Sequence, residues 1–229
     1  MSTFVLWDID GTLILNRPSA GAIYLDSIEA VTGVRPTARV AHPHGMTEGQ
    51  LVRAILEVND LSADALGDVM KRIDVLAKEE HESGLPREAA PGAHAALGAV
   101  TARGWTNGLL TGNGPLRAKY KLQAAGIDPD LFDPTHSYFG HESPTRHDLT
   151  AGARAALGGR HAVIVGDTPA DGAAADSAGI PFLAVATGIY SEAELADTSA
   201  LVVVTDLVIG LDELIETIAQ SMGTASARR

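Results

Sequence analysis

The chain has 229 residues and sets 17 Lys and Arg against 29 Asp and Glu, a formal net charge of −12 with histidine neutral. At about 150 residues per domain, that length suits one domain with a large insertion or two small ones. The acidic balance lacks the basic footprint by which proteins hold nucleic acid or anionic membranes, and the absence of cysteine excludes disulfides, thiolate catalysis and cysteine-ligated metal centres.

The first apolar run, Phe4 to Trp7, reads as a buried strand, too short and without the basic start that a signal peptide needs. With no apolar run near the roughly 20 residues of a membrane span, a cytoplasmic location is expected. The strand runs straight into Asp8-Ile9-Asp10-Gly11-Thr12, which puts two carboxylates at its carboxyl end, where open α/β sheets bind their ligands. From residue 17 to 87 no strand is expected. Apolar residues there fall at helical spacing, as in Ile23, Ser27, Ile28 and Val31, and again in Leu66, Val69, Met70 and Ile73. This is an inserted helical cap, and Thr47, with Gln50 at the capping-box distance, is expected to start its third helix. Pro86 and Pro91 mark the return to the main domain.

Residues 92–102 then read as a helix, 105–110 as a strand, and 116–125 as a second helix, the helices closed by Gly104 and Gly126. The strand between them ends in Thr111-Gly112-Asn113-Gly114-Pro115, a hydroxyl beside free amides at a positive helix end, which suits phosphate. A helix over 149–157, closed by Gly158, leads to a strand over 162–165 and then to Gly166-Asp167-Thr168-Pro169-Ala170-Asp171. Two more strands, 182–186 and 201–204, follow, and residues 223–229 read as a disordered tail. Strand alternating with helix gives an α/β fold, a doubly wound parallel sheet formed by 1–16 and 88–222, interrupted by the helical domain 17–87. Asp8, Asp10, Asp167 and Asp171 thus share one edge. Four like charges there call for protonation or a cation, and oxygen-only ligands select a hard one such as Mg2+.

These motifs in this order resemble the haloacid dehalogenase superfamily, and within it the phosphoglycolate phosphatase-like enzymes with a helical cap after the first motif. Asp8-Ile9-Asp10-Gly11-Thr12 matches the first motif, Thr111-Gly112-Asn113 the second, and Gly166 to Asp171 the fourth. Spacing gives Arg146 as the basic third motif, a departure from the commoner Lys-Pro pair.

The resemblance implies a Mg2+-dependent phosphatase acting on a small phosphomonoester through an aspartyl-phosphate. Asp8 would be the nucleophile and Asp10 the acid and base. Asp8, the Asp10 carbonyl and Asp167 would hold the metal, with Asp171 as a direct or outer ligand, and Thr111, Gly112, Asn113 and Arg146 would hold the phosphoryl group. His42, His44 and Thr47 fall in the segment resembling the cap loop that chooses substrate. A phosphomutase uses the same carboxylates and is the alternative, with a non-catalytic phosphate-binding module as the other. Dehalogenation is disfavoured by the presence of Asp10. Phosphonate hydrolysis is disfavoured because the first lysine is Lys71, too late for an imine-forming residue of the early cap. The expected partners are a small phosphorylated metabolite and, at most, a second copy of the chain, a monomer or homodimer that binds neither nucleic acid nor membrane.

Overall fold

A run such as Phe4-Val5-Leu6-Trp7 is apolar on both of its faces, and such a strand is stable only between two layers of helices. The computed structural model, which describes residues 3–17 and 21–226, has that arrangement. Six strands form one parallel sheet: β1 (Phe4–Trp7), β2 (Thr106–Thr111), β3 (Tyr138–Phe139), β4 (Ala162–Gly166), β5 (Phe182–Val185) and β6 (Ala200–Val204). Their order is β3-β2-β1-β4-β5-β6, so the chain winds outward in both directions from β1. The crevice at the carboxyl end of β1 is the switch point where doubly wound folds place ligands.

Alternate side chains feed the two helical layers. Val5 and Trp7 join Leu109, Val163 and Leu183 in a core closed by α4 (Ala93–Ala102), α5 (Pro115–Ala124) and α9 (Leu211–Ser226). Phe4 and Leu6 point the other way, with Ile164 and Phe182, against α6 (Arg146–Leu157) and α7 (Pro169–Ala178). Each large aliphatic side chain so buried contributes about 1.5–3 kcal/mol. The buried Asn107 of β2 accepts the Trp7 indole N–H at 2.9 Å and donates to Leu97 O at 3.2 Å, so its amide is satisfied on both sides.

The insertion contains α1 (Ala22–Thr32), α2 (Glu48–Val58) and α3 (Leu66–Glu82), and no strand among its described residues. Its core is its own: Ile23, Ile28, Val52, Leu56, Val69 and Ile73 pack together, with Ser27 buried and Val31 left at the surface. Thr47 caps the second helix of the insertion, not the third: its hydroxyl accepts the Gln50 amide at 3.1 Å, and α1 and α2 are the only α-helices of the insertion before residue 59 among the described residues. The insertion docks on the main domain through α3 against α5, with the His81 ring stacked on Tyr120. The last helix, α9, continues to Ser226, past the start of the segment expected as a tail; residues 227–229 of that segment lie outside the described residues. Among the described residues, no helix is long and apolar enough to cross a membrane.

Candidate active site

Register fixes the site before any side chain is considered. Trp7 pairs with Leu109 on one side and Val165 on the other, so β1, β2 and β4 end within two residues of one another. Asp8, Thr111 and Asp167 therefore emerge side by side, and the Asp8 amide closes the edge with a 2.9 Å bond to Val165 O. One turn into α7, Asp171 completes the group. Asp8, Asp167 and Asp171 are all buried, and oxygens of the three lie within 4.8 Å of one another.

That proximity costs free energy. Burial, and then the negative charge of Asp171 and Asp10 set against the opposing pull of Arg146, raises the Asp8 carboxyl to about 7. Burial and the charges of Asp8 and Asp171 push Asp167 well above the carboxylate range. Groups that resist ionisation at neutral pH, all with oxygen donors, are what a hard divalent cation relieves, so the residues present fit a metal site.

The backbone makes room for these carboxylates. A Cβ on Gly11 would lie 2.1 Å from Asp167 Oδ2, and one on Gly188 only 1.8 Å from the same atom. Thr12 holds Asp167 Oδ1 from the other side with a 3.2 Å hydrogen bond.

Arg146, the candidate picked by spacing, is brought into the same cluster. Its Nη2 lies 3.2 Å from Asp8 Oδ1 and 2.5 Å from Asp171 Oδ1, and it donates to Leu110 O at 3.0 Å. One oxygen of Asp171 is used in structure: Oδ2 accepts from the Thr168 hydroxyl at 2.7 Å and the Thr168 amide at 3.2 Å in a capping box that starts α7. Asp171 Oδ1, within ion-pair distance of Arg146 but without a hydrogen bond, remains placed to face an ion together with Asp8 and Asp167.

Asp10 stands apart from that cluster. Its Oδ2 accepts from Lys121 Nζ at 2.5 Å and from Asn113 Nδ2 at 2.8 Å. Burial raises this carboxyl, but the charges of Lys121 and then Arg117, with those hydrogen bonds, outweigh it and hold it below the carboxylate range. Lys121 is itself lowered to about 8, because burial and the neighbouring Arg117 outweigh the attraction of Asp10. Lys121 is thus a site residue that the motifs do not reveal. The signal was present: Arg117 and Lys121 stand one turn apart in α5, beside the buried Ala118 and Leu122, and basic residues on a buried helix face need partners.

The phosphate cradle expected at 111–114 is only partly available. The Thr111 hydroxyl accepts from Asn113 Nδ2 at 2.8 Å and keeps its own proton to donate. The Asn113 side chain, expected on substrate, is held by Asp10 and Lys121. The Gly114 amide donates to Glu48 Oε2 of the insertion at 2.6 Å, so Glu48 is the anion at the start of α5. Gly112 gives its carbonyl to the Glu48 amide at 2.8 Å, and a Cβ there would lie 2.6 Å from Met46 O.

The loop expected to choose substrate does reach the site, through its backbone. A Cβ on Gly45 would lie 2.5 Å from Ala170 Cβ and 2.9 Å from Thr168 Oγ1, at the start of α7. Thr47 is buried, and its hydroxyl both caps α2 and donates to Ser143 O at 2.8 Å, so it is spent on structure. His42 and His44 are exposed, His42 with a left-handed backbone (φ 50), and neither hydrogen-bonds to the carboxylates.

Known proteins resemble this chain. The family model of haloacid dehalogenase-like hydrolases matches residues 3–179. A phosphoglycolate phosphatase of Rhodospirillum rubrum is 32% identical over 218 residues, covering 90% of this chain and 88% of that one. Among solved structures, a hydrolase from Pseudomonas syringae aligns with a TM-score of 0.70 at 20% identity, over 94% of this chain and 98% of the other. A proposed β-phosphoglucomutase from Bacteroides vulgatus aligns at 0.69 and 19% identity, over 96% and 89%. At such identities the two structures speak to the fold alone.

Proposed function

The chain belongs to the haloacid dehalogenase-like hydrolases, and on that premise we propose that it is a Mg2+-dependent phosphatase that cleaves a small phosphomonoester through an aspartyl-phosphate on Asp8. The observation that carries the reading is the buried group of Asp8, Asp167 and Asp171, whose mutual repulsion makes sense where a cation and an anionic ester are brought together. Asp8 and Asp167, with the carbonyl of Asp10, would hold the ion. When bound, Mg2+ supplies positive charge that neutralises the carboxylates and the phosphoryl oxygens.

The remaining work falls to this chain's own groups. A carboxylate oxygen of Asp8 forms a bond to phosphorus as the ester oxygen leaves with the electron pair of the broken P–O bond. Asp10, two residues on and ionised at rest beside Lys121, would take a proton from the incoming ester or solvent, give it to that oxygen, and later take one from the water that hydrolyses the aspartyl-phosphate. The Thr111 hydroxyl and the Arg146 guanidinium face the charge that builds on the transferring oxygens. The helical insertion, docked on the edge where these groups emerge, would shut out water and contact the leaving group through the loop of His42, His44 and Gly45.

The likeness to the R. rubrum enzyme makes a small phosphorylated acid such as phosphoglycolate the first substrate to assay. Release of inorganic phosphate, dependent on Mg2+, abolished by EDTA and lost at least about 1,000-fold in Asp8→Asn, is expected. Activity that survives Asp8→Asn would refute the assignment. Interconversion of a sugar phosphate without phosphate release would favour the mutase alternative.

A further inference from the structure

Where the chain leaves the main domain for the insertion it carries Arg17, and where it returns it carries Arg87. Both line one cleft between α3 of the insertion and α5 of the main domain, together with Arg117 and Lys121. Four cations thus face it in a chain of net charge −12, against one carboxylate, Glu80, among the described residues that line it. Two of the four are engaged elsewhere. Arg117 is held by Glu48 and the Tyr24 hydroxyl, and Lys121 by Asp10 and, at 2.6 Å, by Asn113 Oδ1. Arg87 differs. Its side chain is 8% exposed, its guanidinium makes no hydrogen bond among the described residues, and its ion pair to the half-exposed Glu80 spans 3.5 Å. Arg17 has neither a hydrogen bond nor an ion pair among those residues.

A buried guanidinium presents five donors and a charge, and leaving them unmatched is costly. Burial, and the charges of Arg117 and Arg17 set against the pull of Asp10 and Glu80, lower Arg87 from the ordinary arginine range. We propose that this cleft is a second anion site, apart from the Asp8 edge, which takes one carboxylate or phosphate group between Arg87 and Arg17 and so fastens the insertion to the main domain. The planar fork of Arg87 matches two oxygens of such a group, and charged acceptors bind it more strongly than neutral ones. The cleft encloses about 20 Å3, room for one or two oxygens, and adjoins an open groove of about 300 Å3 that shares Arg17 and Arg87. The head of a small acid enters the cleft while the rest of it stays in the groove, where the exposed Glu88 disfavours a second negative charge. The Arg87 amide donates to Ala124 O at the end of α5 at 2.9 Å, so the returning linker is already fixed to the main domain. An anion held by both arginines joins the outgoing linker to it.

Without metal the Asp8 edge repels anions, so binding is best measured in EDTA, with inorganic phosphate and acetate as probes and chloride at equal ionic strength as the reference. Calorimetry should find one oxyanion site per chain, and at ten times Kd the melting temperature should rise by at least about 3 °C. The tighter of the two probes identifies the occupant as free phosphate or as a carboxylic acid. Arg87→Met should lose at least about tenfold in affinity, the usual contribution of hydrogen bonds between charged groups. Arg17→Met, at a partly exposed position, should lose less. Lys119→Met removes the same charge from the exposed face of α5 and should bind as the unmutated chain does. Arg87→Lys keeps the charge without the fork and should also bind more weakly, which preserves the test should Arg87→Met fail to fold.

Hydrogen exchange at the amide of residue 87 should slow when the oxyanion binds, and the same anion should leave it unchanged in Arg87→Met. None of these readings needs turnover, so they stand whether or not the chain hydrolyses a phosphomonoester. Equal stabilisation by chloride, unaltered affinity in both Arg87 variants, or binding that leaves the exchange unchanged would overturn the proposal. A crystal structure with the tighter oxyanion should place it within hydrogen-bond distance of the Arg87 guanidinium, and an anion found only at the Asp8 edge would overturn it as well.

Discussion

Asp167 is confined more tightly than any other site residue. Gly11, Gly188 and Thr12 enclose its carboxylate; Gly11 and Thr12 belong to the first motif, and Gly188 lies outside the motifs. Gly11 has φ +84, so a side chain there is strained by backbone as well as by space, whereas Gly188 is limited by space alone. Gly188→Ala is therefore the cleaner probe. It should push Asp167 aside, weaken Mg2+ binding by at least about tenfold as changes to the groups packed behind metal ligands do, and leave the far-ultraviolet circular dichroism unchanged. Calorimetric titration of Mg2+ checks this, and unaltered affinity would show that Asp167 is not the confined ligand. At this scale the sequence is informative where a residue's place follows from a strand tip. Asp8, Thr111 and Asp167 follow from the ends of β1, β2 and β4, and Arg146 from its distance before Asp167. Lys121 and Glu48 do not, because each is defined by a partner far away in the chain, 111 residues for Lys121 and Asp10 and 69 for Glu48 and Arg117.

Helix α2 joins the insertion to the site, and its first turn carries two distinct kinds of stabilisation. Thr47 contributes a cap, and Thr47→Ala should cost about 1 kcal/mol in a denaturation experiment, with an additional loss from the bond to Ser143 O. Glu48→Gln should cost more, on the order of 3 kcal/mol, because it leaves the buried Arg117 without its carboxylate. A smaller loss for Glu48→Gln than for Thr47→Ala would show that Tyr24 and the other groups around Arg117 suffice to hold it. The elements themselves were legible where their pattern was regular. β1 and β4 are continuous apolar runs, and α6 ends at Gly158 with φ 58, as its glycine announces. β2 was harder to delimit because Asn107 and Gly108 interrupt the apolar run. Asn107 is there to accept from Trp7, and a Cβ on Gly108 would lie 2.3 Å from His136 O, so both departures answer to tertiary neighbours. β3, two residues long, has no periodicity to find.

The whole molecule should record the carboxylate group in its stability. Asp8 and Asp167 bind protons more tightly when folded than when unfolded, so between about pH 4 and pH 7 the metal-free folded state holds more protons and loses stability as pH rises. Asp10, held below its ordinary range, acts oppositely and withdraws stability as pH falls below about 4. In EDTA the melting temperature should therefore peak in mildly acidic solution and fall by several degrees toward pH 8, a change of order 2–3 kcal/mol. Mg2+ should reverse that fall and stabilise most at the alkaline end, and Asp8→Asn should melt higher than the unmutated chain without metal. A metal-free melting temperature that rises from pH 5 to pH 8 would show the repulsion to be absent. The doubly wound fold and the helical insertion could be read from the sequence at this scale, since alternating buried strands and Ala-rich helices permit little else. How the insertion sits could not, because it depends on Glu48 and Arg117 meeting across the seam.

The most direct test is covalent. Asp10→Asn removes the group that activates water, so with Mg2+ and p-nitrophenyl phosphate the aspartyl-phosphate should accumulate. Borohydride reduces an acyl phosphate to an alcohol and would convert residue 8 to homoserine. Peptide mass spectrometry should find homoserine at position 8, dependent on Mg2+ and absent from Asp8→Asn. Turnover with no reducible acyl phosphate, or the modification at another carboxylate, would contradict the account.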